Sequence, residues 1–126
     1  MINIEIPNPD VVIRQREQTA KDGEAVIPSI YGFIDFHKVP RDKGGLLSFF
    51  NADNELLFVG KARKLRPRLK KHFQDQVSPL KDHRDEVAKI EAFVVENPME
   101  REIYETYMIN TLQAKYNTEK AFFEND

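Results

Sequence analysis

The stretch Phe58-Val59-Gly60-Lys61-Ala62-Arg63-Lys64-Leu65-Arg66-Pro67-Arg68-Leu69-Lys70-Lys71-His72-Phe73 decides the reading of this 126-residue chain. It joins the end of an apolar run, Leu56 to Val59, to a basic segment through a single glycine. Leu65, Leu69 and Phe73 recur every four residues, which predicts a helix with one apolar side and places Arg68 and His72 together on another. Proline inside a helix costs about 3 kcal/mol, so Pro67 belongs in the first turn and the helix starts near Lys64 to Arg66. Seven basic residues fall between 61 and 72, and the other residues carry 12 basic and 21 acidic groups, although the net charge is only -2. A concentrated cation on an acidic body suits gripping a phosphate backbone at one place.

Upstream, Leu46 to Phe50 and Glu55 to Val59 flank the polar turn Asn51 to Asn54, which predicts a β-hairpin. Downstream come a loop at Ser78-Pro79, a polar segment from Asp82 to Lys89 and a third strand at Ile90 to Val95. A last helix begins with Asn97 as cap, Pro98 at its first position and Glu100 three residues after the cap. Met99, Ile103, Tyr107 and Leu112, with Tyr104 and Met108, form its expected apolar face. The order β-β-α-β-α on a small three-stranded antiparallel sheet is an α+β arrangement. Residues 1 to 40 read as an elaboration on this core. Alternating Ile2, Ile4 and Ile6 suggest a strand, Asp10 a cap for a helix ending near Gly23, and Ile30 to Phe36 an extended segment.

The length fits one domain, and 40% hydrophobic with 32% charged residues fits neither a disordered chain nor a membrane protein. No apolar run is long enough for a spanning helix or a signal peptide, so a soluble, cytoplasmic protein with no membrane partner is expected. The absence of cysteine excludes disulfides, thiol nucleophiles and Cys-based metal sites. Three scattered histidines make a histidine metal site improbable, and no phosphate loop, dinucleotide fingerprint or nucleophile elbow is present. His37, His83, Tyr31 and Tyr104 read as structural or surface residues. The remaining chemistry is that of carboxylates, lysine, arginine and a metal bound through oxygen.

Gly45-Leu46-Leu47, followed by Phe58-Val59-Gly60-Lys61 and the basic helix, resembles the GIY-YIG nuclease superfamily, in particular the N-terminal nuclease domain of the UvrC-like excision-repair excinucleases. Val39-Pro40-Arg41-Asp42-Lys43-Gly44 matches the proline and tight turn that open that pattern. Glu105, with Tyr116-Asn117 twelve residues on, matches its metal-binding glutamate and terminal asparagine. The likeness covers about residues 39 to 117 and implies a nuclease domain at 39–126, with 1–38 as an extension packed on it.

The resemblance implies a divalent-metal-dependent DNA endonuclease related to nucleotide excision repair, with DNA and repair-complex proteins as partners. Lys61, Arg68, His72 and Glu105 would be catalytic, with Glu105 holding one Mg²⁺ or Mn²⁺. Such hard ions favour oxygen donors and keep much of their water. Arg63, Lys64, Arg66, Lys70 and Lys71 would bind nucleic acid, and Phe58, Gly60 and Asn117 would support the site. Both signature tyrosines are replaced, by Leu47 and Phe58. The role of general base then falls to Lys61 or His72, and reduced activity is expected. The alternative is a catalytically degenerate DNA- or protein-binding module of the same fold.

Overall fold

A computed structural model describes residues 2–16 and 29–123. Four strands, β1 (Val11–Arg14), β2 (Gly45–Phe50), β3 (Leu56–Ala62) and β4 (Lys89–Val94), form one antiparallel sheet in the order β1-β4-β2-β3. Two helices, α1 (Leu65–Gln74) and α2 (Pro98–Thr111), complete the α+β arrangement. The sheet has one strand more than the three expected, contributed by the N-terminal segment.

The hairpin forms where its turn chemistry places it. The Asn51 side chain accepts the N–H groups of Asp53 and Glu55 at 3.0 and 2.9 Å, and Asn54 takes the left-handed conformation, φ 62°. Asparagine suits both tasks because its short amide mimics a backbone turn and tolerates positive φ. At the centre of the sheet, Gly45 pairs with Ala62 on one side and Val94 on the other. A Cβ there would overlap the Phe93 carbonyl oxygen, so only glycine lets these backbones meet.

Alternate residues of the strands feed two cores. Leu47, Phe49, Ile90 and Ala92 pack with Leu65, Leu69 and Phe73 of α1, whereas Leu46, Val59 and Phe93 pack with Met108 and Ile109 of α2. The sheet therefore lies between the helices, its side chains alternating with the period of two.

α1 begins at Leu65 with Pro67 in its first turn, as expected. Its first N–H groups are satisfied from outside the helix: Leu65 donates to the Lys43 carbonyl at 2.9 Å and Arg66 to that of Pro40 at 3.1 Å. Arg68 and His72 do not share a solvent face. Arg68 is exposed, while His72 joins Leu65, Leu69 and Phe73 on the buried stripe. Positions 65, 69, 72 and 73 follow the i, i+4, i+7, i+8 spacing of a core-facing helix, and the polarity of histidine hides it.

The cap of α2 forms as expected: the Asn97 side chain accepts the N–H groups of Met99 and Glu100 at 2.9 and 3.1 Å, with Pro98 at the first position. The expected apolar face forms only in part, through Met108 and Tyr104. Met99, Ile103 and Leu112 are exposed, and the buried positions are Arg101, Glu105, Met108 and Ile109. Charged side chains take the inner face because each satisfies main-chain groups there. Arg101 donates to the carbonyls of Val95 and Glu96 at 3.0 and 3.2 Å.

At the N-terminal end, Ile2 to Ile6 form no strand, and Asp10 caps no helix. Its carboxylate instead accepts the Val94 N–H at 2.7 Å and its own N–H donates to the Ala92 carbonyl at 2.9 Å, which aligns β1 along the open edge of β4. The remainder of the helix expected up to Gly23 lies outside the described residues. Within the segment expected to be extended, Ile30 bridges Phe33, and Phe36–Lys38 form a 3₁₀ turn.

Candidate functional site

β3 is an edge strand, and an edge exposes a row of unpaired main-chain groups. Here groups from far along the chain cover that row. The carbonyls of Leu56 and Leu57 accept the N–H groups of Lys115 and Tyr116 at 3.1 and 2.7 Å. Asn117 takes both polar groups of Val59 through its side-chain amide. One step further, the Lys61 N–H donates to a Glu105 carboxylate oxygen at 2.8 Å. Glu105 from α2 and the main chain of Lys61 at the end of β3 therefore meet, as the family resemblance implies.

The Glu105 carboxylate, 6% exposed, has a second partner that the sequence does not reveal. Lys120 places its ammonium 2.6 Å from the other oxygen and also pairs with Glu102, which in turn pairs with the Lys61 ammonium. The result is an alternating row of charges, Lys61, Glu102, Lys120, Glu105. Hydrogen bonds from Lys120 and then Lys61 hold the Glu102 carboxyl at about 2. Burial works against the Lys120 ammonium, yet its bonds to Glu102 and Glu105 outweigh that and raise its pKa.

Beside this row opens a cleft of about 710 Å³, between the start of α1 and the start of α2. Lys61, Arg63, Lys64, Arg68, Lys71 and Arg101 line it, with no acidic side chain among the lining residues. Arg101 is a cleft residue that the sequence reading does not single out. Its position four before Glu105 on one helix face is the signal that pairs them. Arg66 and Lys70 lie elsewhere, on a second groove with Arg41 on the far side of Pro67. The Arg66 guanidinium is tied to the carbonyls of Val39 and His37, each at 2.8 Å.

His72 does not line the cleft. Its ring packs edge-on against Phe49 and Phe58, with centroids 5.2 and 5.4 Å away, and Nδ1 lies 2.7 Å from the Ser78 hydroxyl. Burial, reinforced by the positive charge of Arg68, lowers its pKa from 6.5 to about 4, so the ring is neutral at pH 7. Nε2 faces Gly60, where a Cβ would lie 3.6 Å from it and 2.9 Å from the Phe58 ring. Leu47 is fully buried in the α1-side core. Tyr116 serves as a clasp: its hydroxyl donates to Glu86 at 2.7 Å and its ring stacks on His83 at 3.7 Å.

A hard divalent ion suits the oxygen donor that Glu105 offers. As folded, however, the Lys61 N–H and the Lys120 ammonium each engage one of its oxygens, and the carboxylate does not fit an ion and Lys120 together. Among the described residues no cluster of three metal-ligating side chains stands in reserve. No helix among the described residues is long and apolar enough to cross a membrane.

A family model described as the UvrC-like GIY-YIG domain matches residues 43–118. YurQ of Bacillus subtilis (strain 168) is 64% identical over 124 residues, covering 98% of this chain and 100% of that protein. UvrABC system protein C of Wolinella succinogenes is 36% identical over 86 residues, which is 60% of this chain but only 14% of that protein. In structure, the chain is similar to the GIY-YIG N-terminal endonuclease domain of UvrC from Thermotoga maritima bound to its catalytic divalent cation, magnesium. The TM-score is 0.58 and the identity 26%, over 67% of this chain and 97% of that one. With the strand order, the meeting of Lys61 with Glu105 and the placement of Asn117 already in hand, these matches show that the chain belongs to the UvrC-like GIY-YIG domain family.

Proposed function

We propose that this domain acts on DNA, gripping a backbone phosphate in the basic cleft and hydrolysing the phosphodiester at low turnover, in a process related to nucleotide excision repair. One observation carries the reading: Lys61, fixed through its N–H by Glu105, opens onto a cleft whose other polar lining is Arg63, Lys64, Arg68, Lys71 and Arg101. Such a lining neutralises a phosphate and the further negative charge that develops on it during hydrolysis. Arg68 can hold two phosphate oxygens at once, and Lys61 acts as a point charge. Arg63, Lys64 and Lys71 take neighbouring phosphates, with Lys70 and Arg66 flanking them beyond Pro67.

Glu105 and Asn117 position the end of β3. The Lys61 ammonium is engaged by Glu102, and the neutral His72 ring, the other candidate base, is buried outside the cleft lining. A base with a pKa near 4 is weak at neutral pH, in keeping with low turnover. A divalent ion, were Glu105 to hold one, would supply charge neutralisation and lower the pKa of a bound water. Glu105 is the residue that would hold Mg²⁺ or Mn²⁺, and one of its oxygens is engaged by the Lys120 ammonium.

The second reading, a module that binds DNA without cutting, is favoured by the apolar Leu47 and Phe58 and by the occupied Glu105 carboxylate. Labelled single-stranded, nicked and duplex DNA, incubated with the protein in Mg²⁺, Mn²⁺ or EDTA, separates the two. Cleavage by the wild type that disappears in Glu105→Ala supports the nuclease. Salt-sensitive binding with no cleavage in any condition supports the binder.

A further inference from the structure

Lys120 reaches Glu105 through more than a flexible arm. Its backbone is in the left-handed region, φ 59°, which a lysine adopts only when its surroundings impose it. Asn110 of α2 supplies part of that constraint. Its amide nitrogen donates to the Lys120 carbonyl at 2.8 Å, and its oxygen accepts the Phe122 N–H. Ala121 and Phe123 pack against the α2-side core and hold the segment that follows Lys120. The ammonium is thus delivered to a largely buried carboxylate by a folded tail, and it touches Glu102 as well as Glu105.

We propose that the Lys120 ammonium is the resident cation of Glu105, standing where related domains hold a divalent ion, so that a metal enters this site only by displacing it. Two cations within bonding distance of one carboxylate repel each other strongly in a partly buried site. Lysine brings one positive charge and three hydrogen-bond donors, enough to neutralise Glu105 and orient Lys61. It brings no open coordination position. The inference rests on the proposed function only for the use of the cleft, since the exchange of cations concerns the free protein.

The test is a titration of the DNA-free protein with Mn²⁺, followed by calorimetry and by the loss of the free-ion paramagnetic resonance signal. Lys120→Met is expected to bind Mn²⁺ at least tenfold more tightly than the wild type, and the double variant Lys120→Met/Glu105→Gln to lose that gain. Lys120→Arg, which keeps the charge, is expected to stay at the wild-type affinity. It separates the role of charge from any loosening of the tail, and melting curves confirm that each variant is folded. An affinity of Lys120→Met within threefold of the wild type overturns the proposal, as does a gain that persists without Glu105. Failure of DNA binding or cleavage would instead count against the proposed function and leave this result standing.

Discussion

The carboxamide of Asn117 pairs with both main-chain groups of Val59, accepting its N–H and donating to its carbonyl, each at 2.9 Å. One side chain thereby does for the edge of β3 what a residue of a neighbouring strand does. Asn117→Ala leaves two buried polar groups without partners, and a lost buried partner costs about 1–3 kcal/mol. A lower urea midpoint with an unchanged slope is the expected outcome. Asn117→Asp keeps the acceptor but sets a carboxylate against the Val59 carbonyl, and it is expected to destabilise at least as much at pH 7. A midpoint equal to the wild type in both variants would remove Asn117 from the edge.

His72 makes stability depend on acid in a defined window. The unfolded chain binds a proton at the ordinary histidine value of 6.5, the folded chain only near 4. As the pH falls between those values the unfolded state takes up the proton first, so stability drops, and below about 4 this contribution changes no further. The loss is on the order of 3 kcal/mol for a fully developed shift. His72→Phe is expected to flatten the fall in unfolding free energy from pH 7 to about pH 4.5 relative to the wild type. Parallel curves for the two proteins would contradict the burial of a neutral ring.

The cleft and the second groove should differ in their effect on DNA. Arg68→Ala and Lys71→Ala are each expected to weaken duplex binding across all sequences and to reduce the salt slope by about one. Lys70→Ala, on the far side of Pro67, is expected to change affinity less. Fluorescence anisotropy at several salt concentrations reads both quantities. An equal slope change for all three would spread the footprint over the whole of α1.

The Phe58 ring packs against Gly60 and, edge-on, against His72, and it lacks the hydroxyl that the family's signature tyrosine would carry. Proton-transfer assistance is typically worth about 10²-fold or more, so Phe58→Tyr is expected to raise the rate of DNA cleavage on that scale. Single-turnover assays against labelled duplex measure it. A variant that binds DNA normally and cuts no faster would mean that the missing hydroxyl does not set the rate.

Local chemistry explains which parts of this fold could be read from the sequence. The Asn51 turn and the Asn97-Pro98 helix start were legible because the residues that make them act within four positions of themselves. β1 was not, since Val11 to Ile13 suit either a helix or a strand, and the decision lay with Asp10 reaching Val94, 84 residues away. The inner face of α2 is not legible from apolar spacing, because Arg101 and Glu105 occupy it through carbonyls and an N–H group that lie outside the helix. The meeting of Glu105 with Lys61 was legible through the family spacing. That of Glu105 with Lys120 was not, because it depends on a left-handed turn and on Asn110, which no spacing rule announces.

Two of the groups that mask β3 belong to Glu105 and Asn117, which the proposed nuclease reading also uses. A lineage that stopped cutting would still have to keep an acid at 105 and an amide at 117, or leave a raw strand border open to pairing with another molecule. Folding alone thus holds these two side chains in place, whether or not the domain cuts DNA.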